Sequence, residues 1–276
     1  MKAAVSQVCS LESPFEKDFE AYAAGGCTAI ELWVGKLDQY LANHSTSDVR
    51  GLLEQHHLIA PVASFQGGLL ASQGEFRREH WNAFSRRLEQ LAALGVETLV
   101  LAADVPAPFD EAALARVQMS LGQAAAEAAK HGVRLALEFQ ARSVFINNLQ
   151  TAAALVAEVS SPWLGICLDA FHYYVGPSKF EDLGYVTGDN LFHVQFCDLA
   201  GTARELATDA DRVLPGDGDF ELAAIAAHLR QIGYGGHVSV EVMNPQIWRI
   251  PARQIGEISL SALTRILNEH AASPGI

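Results

Sequence analysis

Eight times along this chain a short strand-type run gives way to a helix-type run, and the alternation holds from end to end. The strand-type runs fall at residues 3–8, 28–33, 58–65, 96–102, 133–138, 164–168, 191–197 and 238–242. Helical patterns fill most of the gaps, at 15–24, from the cap candidates Ser45 and Ser47 to His56, and at 75–94, 110–131, 149–159, 220–232 and 251–269. Glycines stop several of them, at Gly25-Gly26, Gly95 and Gly132, as C-terminal helix signals do. Consecutive parallel strands need helical crossovers, and eight such units close a barrel. The competing arrangement, an open doubly wound sheet, calls for a glycine-rich phosphate loop after its first strand. The stretch after Val8 reads CSLESPFEK and has none. The expected fold class is therefore α/β, a single (β/α)8 barrel over residues 1–276, with a frayed tail at 270–276.

One stretch, WLGICLDAFHYYVGPSKFEDLGYVTGDNLFHVQFCD from Trp163 to Asp198, organises the chain and carries two of the strands with a polar cluster between them. The first strand delivers Asp169 at its end, and His172 follows in the turn. The second alternates Phe192, Val194 and Phe196 with His193, Gln195 and Cys197. A period of two places those sets on opposite faces. The apolar set is expected under helices, and the polar set inside the barrel.

Polar residues recur at the carboxyl ends of the late strands: Glu138 after LAL, Asp169 after CL, Gln195, and Glu241 in VSVEV. In a barrel these ends meet at one mouth, where such folds keep their active sites. Val238, Val240 and Val242 face the helices, so Ser239 and Glu241 face in. One acid at a strand end usually caps a helix; four polar residues on four successive strands point to a site. Three carboxylates in one pocket need compensation, and a divalent cation supplies it. An oxygen-rich set suits Mg²⁺ or Mn²⁺ better than Zn²⁺ or Co²⁺. The candidate metal ligands are Glu138, Asp169, Gln195 and Glu241. His193, two residues below Gln195, reads as a satisfied core histidine. Glu31 also points in, though remote from the late strands. Arg212 precedes the stiff turn Leu214-Pro215-Gly216-Asp217-Gly218 and is placed at the pocket rim, as a clamp for a substrate oxygen or carboxylate.

A net charge of −13 excludes polyanions as partners, and no basic run points to nucleic acid or a membrane surface. No apolar run nears the roughly 20 residues that span a bilayer. Cys9, Cys27, Cys167 and Cys197 stand singly in apolar segments, with no CxxC pair. That usage fits reduced thiols in the cytoplasm.

Longer motifs carry a family resemblance. KLDQYLANHS, DVRGLLEQHHL, LALEF, LDAFHYYVGPSKFEDL, DADRVLPGDGDFEL and IGYGGHVSVEVMNPQIW occur in that order. In these the chain resembles the xylose-isomerase-like TIM barrel superfamily, and most closely its 2-keto-myo-inositol isomerases. The resemblance implies a divalent-metal-dependent isomerase or epimerase of a sugar or keto-polyol, working by proton transfer next to a carbonyl through an enediolate. It puts Glu138, Asp169 and Glu241 at metal-ligand positions, with Glu138 and Glu241 carrying the proton. His172 matches the DxFH histidine beside substrate and would hydrogen-bond the developing oxyanion. Gln195 stands where the isomerases have a histidine ligand; a glutamine there is similar to 3-dehydroshikimate dehydratases of the same superfamily. Trp33 stands where the inositol enzymes are expected to offer a polar contact, and with Glu31 and Arg212 it completes the candidate substrate contacts. The alternatives are thus a metal-dependent dehydratase of a cyclic keto acid, a sugar-binding barrel without catalysis, which the pair Glu138 and Glu241 argues against, and a nuclease, which the charge opposes. The expected partner is a small keto-polyol or sugar. Whether the chain forms a homo-oligomer is left open by the sequence.

Overall fold

The computed structural model describes residues 1–268; the tail expected to fray, 270–276, and the last residue of the expected final helix lie outside them. Eight parallel strands form the wall: β1 (Lys2–Ser6), β2 (Ala29–Trp33), β3 (Ile59–Gln66), β4 (Thr98–Ala102), β5 (Arg134–Glu138), β6 (Leu164–Asp169), β7 (Leu191–Phe196) and β8 (His237–Val240). Each pairs with its neighbours in sequence, and β1 pairs with β8, so the sheet closes. The helices around it are α1 (Phe15–Ala24), α2 (Val34–Leu41), α3 (Thr46–His56), α4 (Gly74–Leu94), α5 (Glu111–His131), α6 (Leu149–Val159), α7 (Ala170–Val175), α8 (Leu222–Gln231) and α9 (Ala252–Asn268). No helix among the described residues is long and apolar enough to cross a membrane.

Local signals account for the helix ends. Ser45 and Asp48 form a reciprocal cap for α3: the Ser45 hydroxyl accepts from the Asp48 N–H, and the Asp48 carboxylate accepts from the Ser45 N–H at 2.7 Å. Asp110 caps α5 through the Ala113 N–H at 2.7 Å, and Asn148 caps α6 through the Thr151 N–H at 2.9 Å. The buried face of α5 runs Ala113, Val117, Leu121, Ala124, Ala128, at spacings of three and four. The ring of helices closes where α1 ends against α9. A Cβ on Gly25 would stand 2.8 Å from the backbone of Arg253 and Glu257, so no larger residue fits there.

Three local expectations are corrected. Residues 34–41, given no element from the sequence, form α2, whose Val34 and Leu37 are buried. His172 lies in α7 and not in a turn, because the Asp169 side chain accepts its N–H at 3.0 Å and starts the helix. Phe192 does not share a face with Val194 and Phe196. The register of β6 on β7 shifts between Ile166 and Cys167, so Leu191 and His193 face consecutive β6 residues and Phe192 is extra. The bulge packs Phe192 with Val62, Val100, Ala136 and Cys167.

The loop after β7 positions the site. Asp198-Leu199 pairs antiparallel with Arg212-Val213, Leu199 opposite Arg212. The Asp198 carboxylate accepts the N–H groups of Leu199, Gly216 and Phe220 at 2.9, 3.0 and 2.9 Å. Gly218 passes so close that a Cβ there would lie 2.3 Å from the Leu199 carbonyl oxygen. The turn after Arg212 is therefore bolted to the end of β7, and Arg212 is delivered into the barrel.

Candidate active site

At the carboxyl ends of the strands a cavity of about 170 Å³ opens between Glu138, His172, Arg212 and Glu241 on its polar side and Trp33, Phe65 and Met243 on its apolar side. Trp33 and Phe65 stack with centroids 5.8 Å apart and form one wall. Glu138, Asp169 and His172 each offer a ligand atom within 4.8 Å of the others.

Arg212 is not at the rim. Its side chain is 1% exposed and lies under the cavity. Nη1 donates to Asp169 at 2.7 Å and to Glu241 at 3.0 Å; Nε and Nη2 donate to Asp209 at 3.0 and 2.7 Å. The guanidinium stacks 4.5 Å from the Phe171 ring, and Nη2 lies 3.4 Å from His172 Nε2. One cationic nitrogen thus occupies the point on which Asp169 and Glu241 converge.

Glu31 is not remote either. It accepts from Gln195 Nε2 at 3.0 Å and from Ser64 at 2.5 Å, and it meets His193 Nε2 at 2.8 Å. Strand β2 lies far from β7 along the chain, but both side chains reach the barrel axis. His193 is buried and also meets Ser239 at 3.2 Å. Gln195 turns its NH₂ to Glu31 and to Glu241, at 3.0 and 2.9 Å, and its oxygen accepts from the Cys167 thiol at 3.1 Å. The amide oxygen therefore faces away from the carboxylates. For it to join a metal the amide must make a half-turn.

The carboxyl groups separate into two kinds. Burial pushes Glu138 well up, and the charge of Asp169 pushes further. Burial likewise pushes Glu241 well up, against the opposing charge of Arg212. For Asp169 the effect of burial is outweighed by Arg212 and then by His172, which bring it down to about 2. For Glu31 burial is outweighed by its contacts with polar neighbours, the hydrogen bond with His193 foremost, which lower it. His172 is itself lowered, chiefly by burial. Inside the barrel, then, four buried carboxyl groups, Glu31, Glu138, Asp169 and Glu241, share the interior with one guanidinium, that of Arg212. Glu138 and Glu241 are the two of these that burial leaves raised. Carboxyl groups buried in excess of the cation beside them, with Glu138, Asp169 and His172 offering ligand atoms within 4.8 Å of one another, form a donor set that fits a divalent ion.

Several residues of the site carried no sequence signal strong enough to be singled out. Gln140, two positions beyond Glu138, donates to its carboxylate. Asp209 holds Arg212 from three residues away, a spacing that was readable. Phe65 and Met243 become visible only once the loops are placed.

A closed parallel barrel with acids gathered at its carboxyl end defines a class of mouth-active barrel enzymes. The family model of the xylose isomerase-like TIM barrel matches residues 19–265, and the chain belongs to that family. An inosose isomerase of Bacillus velezensis is 29% identical over 263 residues, 92% of each chain. A 3-dehydroshikimate dehydratase of Pseudomonas putida is 27% identical over 265 residues, 92% of this chain and 40% of that one. A crystal structure of IolI protein with a bound zinc atom superposes with a TM-score of 0.91 at 25% identity, over 99% of this chain and 100% of that one.

Proposed function

We propose that the protein is a divalent-metal-dependent isomerase of an inosose or related keto-polyol, working as one domain. The observation that carries this reading is the pair of raised carboxyl groups, Glu138 and Glu241, on separate walls of one small cavity. A general base works best with a pKa near the operating pH, and burial moves a carboxyl group in that direction. Glu138 takes the proton from the carbon next to the carbonyl, and Glu241, entering in its acid form, delivers its own proton to the former carbonyl carbon; exchange with solvent resets both groups. Gln140 donates to Glu138 and fixes where its free oxygen points. His172 lines the cavity and hydrogen-bonds the oxygen on which charge develops. Trp33 and Phe65 cover the ring face of the substrate and exclude water. Glu138, Asp169, Glu241 and either His172 or a turned Gln195 would hold a divalent ion, Mn²⁺ or Mg²⁺ in preference to Zn²⁺ or Co²⁺. When bound, that ion supplies electrophilic polarisation of the carbonyl.

The resemblance and the inosose isomerase relatives support this reading. Gln195 favours a second one, dehydration of a cyclic keto acid such as 3-dehydroshikimate, which starts with the same proton removal and then expels a hydroxide. One experiment separates them. The metal-loaded protein is given inosose in D₂O and followed by NMR, and 3-dehydroshikimate followed by ultraviolet absorbance. Deuterium at the carbon next to the inosose carbonyl, with no new absorbance band, supports isomerisation. A growing aromatic band without exchange into inosose replaces it with elimination.

A further inference from the structure

A second cavity, of about 510 Å³, opens at the opposite end of the barrel, where the strands begin. It is three times the size of the mouth cavity. Lys2 and His237 face each other across the β1–β8 pair at its edge. Arg134 reaches in from the start of β5, and Arg50 from α3. The only carboxylate among its lining residues is Glu97, 3.7 Å from Arg134 and 74% exposed. Lys2 and Arg50 are exposed and make no ion pair with another described residue. In a chain with 19 lysines and arginines against 32 acids, these two and Arg134, set against one glutamate in one concavity, leave a local excess of positive charge.

The pocket is also built. Arg134 lies 4.9 Å over the Phe192 ring, which the bulge in β7 brings there, and its Nη2 donates to Thr98 at 3.4 Å. Its guanidinium is therefore held flat against the floor with other N–H groups still to satisfy. Half-buried His237 reports the local field: burial lowers its pKa, and the charges of Lys2 and His193 lower it further.

We propose that this pocket is a binding site for a phosphorylated small molecule, the phosphoryl group held by Lys2, Arg50 and Arg134 and the rest of the ligand against Phe192 and Pro61. A phosphoryl dianion presents three oxygens at tetrahedral angles, which suits cations arriving from three separate elements; a single carboxylate engages one or two of them. The volume falls in the range of small-molecule sites, about 300–1,000 Å³, so it takes a body as well as a head. The ligand sits at the far end from the mouth and does not compete with substrate.

The test uses inorganic phosphate as the probe and the imidazole signals of the full chain as the readout, by NMR, with chloride at matched ionic strength as the control. Phosphate is expected to shift the His237 ring signals in a saturable way and to raise the pKa at which that ring titrates. The double substitution K2A and R50A removes two exposed side chains with no described ion-pair partner, so the fold persists. It is expected to weaken phosphate binding by at least about tenfold. Arg134→Gln, which retains a donor but no charge, is expected to weaken it as well. An identical shift with chloride, undiminished binding in the double variant, or a phosphate response at His172 in place of His237 overturns the proposal.

Discussion

Replacing Arg212 by methionine tests how the barrel compensates its own acids. Methionine keeps an unbranched stem of similar reach, and its sulfur can still lie against the Phe171 ring. What disappears is the charge that Asp169 meets at 2.7 Å and Glu241 at 3.0 Å. Both acids are buried, Asp169 fully. Breaking a buried pair by deleting one partner costs about 3–5 kcal/mol. In chains of about this size each kcal/mol moves the melting temperature by about 2–4 °C. The metal-free variant in EDTA at neutral pH should therefore melt roughly 6–20 °C below the metal-free parent. Saturating Mn²⁺ should then stabilise the variant more than the parent, because the ion restores a charge that the parent already has. Thermal unfolding followed by circular dichroism, with and without metal, gives both numbers. A metal-free variant melting within about 2 °C of the parent, less than 1 kcal/mol, would refute the claim that Arg212 holds these carboxylates. Equal stabilisation of both proteins by Mn²⁺ would refute the claim that the ion and the guanidinium answer the same charge.

Glu138→Gln and Glu241→Gln should each lower exchange of the substrate proton by about 10²–10⁴-fold, measured by NMR in D₂O, with the fold retained by circular dichroism. Gln195→His should shift metal preference toward Zn²⁺, read by metal analysis after competition with Mn²⁺, because imidazole is a softer donor than an amide oxygen. Metal uptake should release protons, since burial favours the protonated forms of Glu138 and Glu241; affinity should then rise with pH, and calorimetry in buffers of different ionisation enthalpy detects the release, with none counting against the raised values. Asp169 has the opposite sign: depressed from 3.8 to about 2, it contributes stability above pH 3.8 that is lost as pH falls through 2, roughly 2 kcal/mol in all, and Asp169→Asn should flatten that part of the acid denaturation curve.

The strands were legible because each satisfies two constraints at once, an apolar face toward helices and an end that carries a polar residue to the mouth. That made Glu138, Asp169, Gln195 and Glu241 visible from spacing alone. Arg212 was readable as a residue of the site, but its depth was not. The depth depends on the ladder Leu199–Arg212 and on Asp198 gripping the following turn, contacts within a loop that has no period. Phe192 was misplaced because alternation assumes an unbroken register, and a one-residue bulge reverses the face of whatever precedes it. Glu31 was set apart for a different reason. Sequence distance from β2 to β7 is large, whereas at the axis of an eight-stranded barrel every inward side chain is within reach of several strands.

That nearness gives Glu31 a part in the site that its position in the chain conceals. Its two oxygens are shared among Ser64, His193 and Gln195, so its orientation is fixed from two other strands, β3 and β7. A carboxylate held in this way demands a donor from whatever stands at position 195. A glutamine meets the demand with its NH₂, as here, and has a second N–H for Glu241. A histidine, the residue the isomerases are expected to carry at this place, would meet it with one ring N–H and leave the other nitrogen free to bind metal, as ligating histidines commonly do. The same acid can therefore orient either side chain, and position 195 can change without rebuilding the barrel beneath it. What changes is the atom presented to the cavity: a ring nitrogen in one case, and in the other an amide whose oxygen must first leave Cys167. On the proposed reading, the choice between isomerisation and elimination falls on one side chain, while Glu138 and Glu241, the acids proposed to move the proton, stay where the strands put them.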